Sequence, residues 1–250
     1  MKILSKDWEF NVLGVDNFKR PGKLKPYYDY IRENHRILDG DICEVGVYRG
    51  NSILATAMLL KELKSDKTIW GYDSFEGFPS YHSNDALKNF GILFKKGKIT
   101  KEHFEDYKLN RTYKAFVKQT KINVKNISTS EDFSQNSLKE LNRKINYLGL
   151  DNIKLIKGDF SETMNEVEAE KKFFAALIDC DLYEGYKKSL PFVYNRLTAK
   201  GYMYLDEYYS LKFPGAKIAT DEFFAKKKEK PFKHFTYSED FQRWAVIKDE

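Results

Sequence analysis

The sequence predicts an α/β protein built on a doubly wound, mainly parallel β-sheet. Apolar segments of strand length alternate with segments of helical periodicity, and this alternation is typical of a parallel sheet with helices on both faces. Glycine or acidic residues follow the predicted strands, at the edge where ligands bind in such sheets. Two segments near the end of the sequence, "HFTYSED" and "RWAVIKD", predict a closing antiparallel hairpin.

The composition is that of one large domain. The chain has 250 residues, of which 42% are hydrophobic and 16% aromatic, so we expect residues 1–250 to share one core. The net charge of +6 comes largely from scattered lysines, and no basic stripe with interleaved aromatic residues predicts nucleic-acid binding. Neither Cys43 nor Cys180 lies in a CxxC pair, which argues against a zinc site. Without a signal peptide or a membrane-spanning run, the sequence predicts a cytoplasmic protein.

The first elements are a helical cap, a strand and a helix. Residues 1–36 are polar and aromatic, with a short helix at "PYYDYIREN", and should cap the domain. The segment "GDICEVGV" (Gly40–Val47) predicts the first strand. Apolar residues at helical spacing then predict a helix to about Lys64, which Asn51 and Ser52 could cap.

The middle of the chain is less regular. The segment "KTIWGYDSF" (Lys67–Phe75) predicts the second strand. Residues 79–130 are polar, with only weak periodicity. Apolar spacings of three, four and three from Leu138 predict an amphipathic helix that ends at Gly149.

Three further strands and two helices follow. The strands are predicted at "NIKLIKGDF", "FFAALIDCD" and "GYMYLDEYY". The segment "KKSLPFVYNRL" predicts a helix that Pro191 must begin or kink. The segment "GAKIATDEFFAKK" predicts the last helix.

The loop after the first strand, "EVGVYRGNS", suits a ligand that approaches the backbone closely. Gly46 and Gly50 flank a tight turn into a helix, whose N-terminus favours a carboxylate or phosphate. The loop lacks the GxGxxG pattern, and Glu44 would repel a pyrophosphate but suit a positively charged ligand. A plain strand-to-helix turn is the alternative interpretation.

The next two strand ends complete a predicted nucleoside site. Asp73 lies where a carboxylate can accept hydrogen bonds from both ribose hydroxyls. Asp159 and Phe160 could meet the amino group and ring face of adenine. The alternative for Asp73 is a helix-capping or loop aspartate, and for Asp159 or Ser161 it is a helix N-cap.

Carboxylates accumulate after the fourth and fifth strands. Asp179 and Asp181 end one strand, and Asp206 and Glu207 end the next. Neighbouring strands lie about 4.8 Å apart, so these side chains could converge. Oxygen ligands alone favour Mg²⁺ or Mn²⁺. The alternative is that the acids are solvated or cap helices.

Five motifs occur in a characteristic order: "EVGVYRGNSI", "GYDSFEGFP", "KGDFSETM", "LIDCDLYEG" and "YLDEYYSLKFPGAKIATDEFF". Together they resemble the macrocin O-methyltransferase (TylF-type) family, whose members are S-adenosylmethionine- and metal-dependent sugar O-methyltransferases. The resemblance covers roughly residues 41–78 and 152–224. It implies a seven-stranded, Rossmann-like class I methyltransferase fold, with a helical cap over residues 1–36 and an acceptor-binding lid over residues 79–130.

The resemblance also implies roles for individual residues. The methionine part of the cofactor would be bordered by Glu44, Gly46, Arg49 and Gly50. Its nucleoside part would contact Asp73, Ser74 and Phe75 at the ribose and Asp159 and Phe160 at the adenine. Mg²⁺ or Mn²⁺ would be bound by Asp179, Asp206 and Glu207. The family usually has two aspartates at the last two positions, so metal preference is not carried over.

The sequence therefore predicts methyl transfer from S-adenosylmethionine to a sugar hydroxyl, in a surface polysaccharide or a glycosylated natural product. Asp179 or Asp181 would take the proton, with Asp181 favoured if Asp179 binds the metal, because a metal-bound carboxylate is a poor base. The acceptor would be a small molecule or a glycan, and the aromatic N-terminal segment could serve a homodimer contact.

Two other functions stay open at the level of sequence. The Asp-Cys-Asp segment after an apolar strand also fits the metal site of a glycosyltransferase that uses a nucleotide sugar. That interpretation leaves Glu44 and Asp73 unexplained. The other alternative is a non-catalytic binding protein built on the same fold.

Overall fold

The computed structural model of the protein describes residues 1–165, 170–234 and 242–249. Within these ranges one sheet contains seven strands: β1 Asp41–Val45, β2 Ile69–Asp73, β3 Ile153–Lys157, β4 Phe173–Ile178, β5 Leu197–Leu205, β6 Phe232–Lys233 and β7 Trp244–Ile247. Their order across the sheet is β3-β2-β1-β4-β5-β7-β6. β7 pairs antiparallel with β5 and β6, and the remaining pairs are parallel. The predicted doubly wound sheet with an antiparallel edge is confirmed.

Helices cover both faces of the sheet and the edge at which β1 to β5 end. They are α1 Asp7–Leu13, α2 Lys25–Asn34, α3 Asn51–Glu62, α4 Asn89–Lys95, α5 Lys101–Val117, α6 Leu138–Leu148, α7 Phe160–Thr163, α8 Tyr183–Arg196 and α9 Pro214–Phe224. A 3-10 turn spans Ser83–Asp85. No helix in the described ranges combines the length and the apolar character needed to cross a bilayer.

The centre of the sheet positions the functional edge. All six residues of β4 are buried, as expected for a strand that is covered on both faces. In the register, Ile178 of β4 pairs with Val45 of β1 and with Leu205 of β5. Because these three parallel strands end in one row, the segments that follow them begin side by side. The predicted adjacency of the fourth and fifth strands is therefore confirmed.

Helix α3 is not capped by Asn51 or Ser52, contrary to the prediction. Asn51 is the first helical residue, and Gly50 before it adopts the left-handed conformation, with φ of 84° and no side-chain cap. A Cβ on Gly50 would lie 2.3 Å from Cδ1 of Leu141. Glycine therefore serves both the turn and the close packing of α6 against it.

Residues 79–130 are more regular than the sequence indicated, because they contain the 3-10 turn, α4 and α5. These elements bury a small core around Leu87, Phe90 and Tyr107. Their periodicity is weak because α5 also carries apolar residues on its exposed side, so no single apolar stripe stands out.

The structure decides between the two alternatives for Pro191 and revises the hairpin near the C-terminus. Helix α8 begins eight residues before Pro191, at Tyr183, so Pro191 does not begin the helix but lies inside it, and a kink there stays a prediction. Of the predicted segment "HFTYSED", all but His234 lies outside the described residues. The strand that pairs with β7 is β6, which immediately precedes that segment.

Candidate functional site

A cavity of about 590 Å³ opens where β1 to β5 end. Its volume is within the range of about 300–1,000 Å³ that is typical of small-molecule sites. Ten residues predicted from the sequence line it: Gly46, Arg49, Asp73, Ser74, Asp159, Phe160, Asp179, Asp181, Asp206 and Glu207. Three predicted residues do not belong to its lining: Glu44, Gly50 and Phe75.

Gly46 brings the ends of β1 and β4 into contact. Its φ is 89°, and a Cβ at this position would lie 1.8 Å from the carbonyl oxygen of Asp179. Its backbone N–H donates to the carbonyl of Tyr72 at 2.9 Å. No larger residue fits here. The loop after β1 therefore runs directly against the backbone of residues 179–181, which we call the acidic segment.

Asp73 fixes two loops at once. Its Oδ2 accepts hydrogen bonds from the backbone N–H groups of Val47 and Tyr48, each at 2.8 Å, and its Oδ1 accepts one from Phe75 at 2.6 Å. Tyr48 and Phe75 both have positive φ, of 50° and 53°. A carboxylate can accept about four hydrogen bonds, so Asp73 keeps capacity for a ligand on the cavity side. Its ribose contact stays a prediction.

Asp159 caps a helix, which is the alternative that the sequence left open. Its Oδ1 accepts from the backbone N–H of Ser161 at 2.7 Å, at the start of α7. Hydrogen bonds from Ser161 lower the pKa of Asp159. Asp159 and Phe160 both line the cavity, and their contact with adenine stays a prediction.

Glu44 lies beneath the cavity wall, not in it. It is fully buried, and its Oε1 accepts a hydrogen bond from Oγ of Ser52 at 2.7 Å, while Oε2 is buried with no hydrogen-bond partner in the described part of the chain. Burial raises the pKa of Glu44 to about 8, even though the Ser52 hydrogen bond opposes that shift. Ser52 itself lines the cavity, so Glu44 reaches the cavity only through this hydroxyl.

Three carboxylates converge after β4 and β5. Asp179, Asp181 and Glu207 each offer an oxygen atom, and these atoms lie within 4.8 Å of one another. Burial, followed by the charge of Asp206, raises the pKa of Asp179 to about 6. Burial also raises the pKa of Asp181 and of Glu207, and neighbouring carboxylates add to it. A cation or added protons relieve such repulsion.

Asp206, the fourth carboxylate, contacts a cation of the protein itself. Nζ of Lys23 lies 2.9 Å from Oδ2 of Asp206 and 3.8 Å from Oδ2 of Asp179. Burial alone would raise the pKa of Asp206, but the charge and hydrogen bond of Lys23 outweigh it and lower that pKa. Oδ1 of Asp206 and Oε2 of Glu207 are buried without a hydrogen-bond partner among the residues that the structure describes.

Sequence reasoning missed two lysines of this site. Lys23 precedes α2, and its carbonyl accepts a hydrogen bond from the Tyr204 hydroxyl at 2.7 Å, which attaches the N-terminal segment to β5. Nothing in "RPGKLKP" indicates that contact. Lys212 lines the cavity, and its charge lowers the pKa of the clustered acids against the effect of burial. Lys212 lies shortly after the fifth predicted strand, and this position in the sequence could have indicated that it belongs to the site.

The sequence matches the model of the macrocin-O-methyltransferase (TylF) family over residues 18–119 and 104–237. The chain belongs to this family. The TylF-family protein is accordingly an S-adenosylmethionine-dependent O-methyltransferase. This assignment decides against the glycosyltransferase alternative, and it explains why the loop after β1 departs from a dinucleotide pattern.

Two curated relatives are similar to the TylF-family chain. Demethyldecarbamoylnovobiocin O-methyltransferase of Streptomyces niveus is 23% identical over 223 residues, 88% of this chain and 71% of the relative. Mycinamicin III 3''-O-methyltransferase of Micromonospora griseorubida is 27% identical over 173 residues, 68% of this chain. The second alignment spans about half of its relative, 55% of the length.

Solved structures show the same fold. The O-methyltransferase NovP has a TM-score of 0.60 and 20% identity, covering 90% of this chain and 80% of its own. The calicheamicin methyltransferase CalS11 also has a TM-score of 0.60, with 17% identity, covering 97% of this chain and 80% of its own. An O-methyltransferase from Bacillus cereus in complex with SAH has a TM-score of 0.54 and 11% identity, and the match covers 98% of this chain and 93% of the Bacillus cereus chain.

The residues present fit both groups that the family implies. For the cofactor, Gly46 and Asp73 both lie on the cavity wall, and the Asp73 carboxylate keeps acceptor capacity beyond its three backbone contacts. For a metal, the donors are carboxylate oxygens alone, which suit a hard divalent cation. The unpartnered oxygens of Asp206 and Glu207 are the kind of buried acceptors that a bound cation would satisfy.

Proposed function

We propose that this enzyme transfers the methyl group of S-adenosylmethionine to a hydroxyl group of a sugar, with a divalent cation bound beside the cofactor. The convergence of Asp179, Asp181 and Glu207 at the wall of the cavity carries the proposal. The relatives' names support it, since one is a mycinamicin III 3''-O-methyltransferase and CalS11 is described as a TDP-rhamnose 3'-O-methyltransferase. We propose a surface polysaccharide or a glycosylated natural product as the acceptor.

The loops after β1, β2 and β3 would hold the cofactor. Gly46 and Arg49 line the cavity beside the acidic segment and would border the methionine part. Asp73 would accept hydrogen bonds from the ribose with the capacity that its three backbone contacts leave. Phe160 would offer a ring face to the adenine. In this order the sulfonium end would lie nearest to the carboxylates, where opposite charges attract.

Asp179 and Glu207 would bind the cation, and Asp206 would join them through Oδ1, which Lys23 leaves unpartnered. The cation, Mg²⁺ or Mn²⁺, would supply Lewis-acid stabilisation to the acceptor oxygen. Asp181 would then take the proton of the acceptor hydroxyl, because it lines the cavity and is not needed as a ligand. Lys212 would balance the excess negative charge at the cavity wall.

A methyl-transfer assay with labelled S-adenosylmethionine tests the proposal. The enzyme is offered nucleotide sugars, glycosides and phenols, each with added Mg²⁺ or Mn²⁺ and with excess chelator. We expect a methyl ether on a sugar only when metal is present, and loss of metal-dependent turnover in Asp179→Asn and Asp206→Asn. Asp132→Asn, on an exposed loop, is the matched control. Full turnover in chelator refutes the metal role, and methylation of phenols alone refutes the sugar.

Calorimetry with S-adenosylhomocysteine separates the cofactor site from the acceptor. Binding should weaken in Asp73→Asn and persist in Asp181→Asn, because only the first residue is proposed to touch the ribose. Unchanged binding in Asp73→Asn would contradict the proposed ribose contact and would mean that Asp73 only holds the two loops.

A further inference from the structure

Residues 79–130, between β2 and α6, carry more positive charge than the whole chain. They contain eleven lysine and arginine residues against four aspartate and glutamate residues, a formal net charge of +7, whereas the whole chain has +6. Eight of the lysines are exposed: Lys88, Lys95, Lys96, Lys98, Lys101, Lys118, Lys121 and Lys125. We call residues 79–130 the basic insert. Its field attracts an anionic partner, while the rest of the protein is close to neutral.

Within the basic insert, α5 exposes an apolar face. Its members and their exposed fractions are Leu109 (48%), Tyr113 (60%), Phe116 (82%) and Val117 (72%). Their spacing of four, three and one puts them on one side of the helix, which we call the outer face of α5. Another side of the helix buries His103 and Tyr107. Contiguous exposed apolar side chains of this size mark an interaction surface.

The basic insert packs next to the segments that line the cavity. The core of the basic insert packs against Tyr209 and Leu211, in the segment that follows Asp206 and Glu207. Phe78, immediately before the insert, lines the cavity, and its ring centroid lies 5.3 Å from that of Phe133, which also lines it. A surface bound by the basic insert would therefore be attached to the part of the protein that adjoins the cavity.

We propose that the basic insert docks the enzyme onto an anionic membrane surface. Its lysines would contact lipid phosphates, and the outer face of α5 would enter the headgroup layer. α5 itself has four lysine and arginine residues against three acidic residues, so most of the positive charge of the basic insert comes from the segments on either side of the helix. Exposed aromatic and aliphatic side chains beside a cluster of exposed lysines are the pattern of a segment that binds a membrane interface. Anionic lipids attract such clusters of lysine and arginine.

Two other occupants fit the surface less well. A second copy of the chain, joined through a two-fold contact, would place one basic insert against another, so that like charges repel. A single-stranded nucleic acid would use the lysines and the rings of Tyr113 and Phe116, but Leu109 and Val117 are aliphatic and offer no stacking surface. A bilayer satisfies both the charge and the aliphatic side chains.

Docking would bring the cavity to the bilayer surface, where a lipid-linked acceptor presents its sugar. This consequence rests on the proposed sugar acceptor, but the docking itself does not. Vesicle binding needs neither a methyl acceptor nor a divalent cation. Its failure is therefore distinguishable from a failure of the proposed reaction.

The test is flotation of the full chain with vesicles of phosphatidylcholine, with or without phosphatidylglycerol. We expect the protein to float with the anionic vesicles only, and less so at high salt, because salt screens charge. The double variant Phe116→Asp with Val117→Asp should lose on the order of tenfold in the bound fraction, since it puts charge on the inserting face. Lys118→Glu with Lys121→Glu should lower binding while leaving the outer face intact.

Val12→Asp with Ile37→Asp is the matched control, because these residues are 76% and 74% exposed outside the basic insert. This control should bind like the parent protein. All variants should keep the parent melting temperature and S-adenosylhomocysteine affinity. Equal binding to neutral vesicles, unimpaired binding of the Phe116/Val117 variant, or no binding at all overturns the proposal. So does a dimer that this variant dissociates, or tighter binding to an oligonucleotide than to vesicles.

Discussion

Asp85, in the basic insert, accepts a hydrogen bond from the backbone N–H of Tyr183, with 2.7 Å between Oδ1 and the nitrogen. Its Oδ2 accepts one from the backbone N–H of His82 at 3.0 Å, and the residue is 1% exposed. Tyr183 begins α8, directly after the segment that carries Asp179 and Asp181. A buried aspartate thus satisfies an unpaired N–H of α8 and ties the insert to the acidic segment.

Replacing Asp85 by alanine should lower the free energy of unfolding by about 1–3 kcal/mol, because the buried N–H of Tyr183 and the partly buried N–H of His82 lose their acceptor. Turnover should fall as well, since the hydrogen bond that holds Tyr183, just after the acidic segment, is lost and the carboxylates are positioned less firmly. Urea denaturation and initial rates measure the two effects. Gly215→Ala should act similarly, because its Cβ would lie 2.0 Å from Oδ1 of Asp85. Asp106→Ala, on the exposed side of α5, is the control, and parent-like stability in Asp85→Ala would contradict the argument.

Gly46→Ala should damage both the fold and the cofactor site. The new Cβ would meet the carbonyl of Asp179 at 1.8 Å, and alanine disfavours the φ of 89°. Backbone strain of this kind costs about 1–3 kcal/mol before the collision is counted. Thermal melting and S-adenosylhomocysteine calorimetry should both report the loss. Gly91→Ala is the matched control, because its Cβ would have no neighbour within 4 Å. Equal melting temperatures for the two variants would refute the close contact.

Lys23→Met should tighten binding of a divalent cation. The ammonium of Lys23 lies against Asp206 and Asp179, so it repels a second cation at the same carboxylates. Repulsion between like charges a few ångströms apart is about 1–4 kcal/mol near a protein surface, so a tenfold lower Kd for Mn²⁺ is expected in calorimetry. In chelator, the same variant should melt at a lower temperature because the carboxylates lose their counter-charge. Lys25→Met, whose lysine pairs with Asp29 away from the cluster, is the control. Weaker Mn²⁺ binding in Lys23→Met would show that Lys23 assists the metal.

The strands could be predicted from the sequence because they are largely buried, and burial selects apolar residues. β4 has the sequence "FFAALI" and is buried along its whole length, so its apolar run correctly predicts a buried strand. The acids at the strand ends were predictable for a related reason, since parallel strands bring their carboxyl ends to one edge. Asp73 and Asp179 therefore line the cavity as expected, although the three backbone contacts of Asp73 were not foreseen.

The residues that sequence reasoning missed depend on contacts between distant segments. Lys23 reaches the acids only because Tyr204 holds its backbone against β5. The sequence does not predict α5, because exposed apolar residues such as Phe116 hide the helical periodicity of its buried residues. Glu44 was expected at the cofactor, but it points beneath the wall, where Ser52 covers it.

Glu44 should make stability depend on pH. Burial raises its pKa in the folded protein to about 8, against an ordinary value of 4.5 in the unfolded chain. Between these values the folded state holds a proton that the unfolded state has released. The free energy of unfolding therefore falls as pH rises through this window, by up to about 1.4 kcal/mol per pH unit.

Glu44→Gln should remove this part of the dependence. Glutamine keeps an acceptor for Ser52 and stays neutral, so the variant should gain stability over the parent as pH rises from about 5 to about 8. Urea denaturation in chelator at several pH values measures the difference. Asp179, with a pKa of about 6, makes the free energy of unfolding depend on pH equally in the parent and in Glu44→Gln. Only the difference between the two stability curves therefore reports on Glu44. Glu131→Gln, on an exposed loop, should follow the parent curve. Parallel curves for the parent and Glu44→Gln would mean that Glu44 is already ionised in the folded protein at neutral pH.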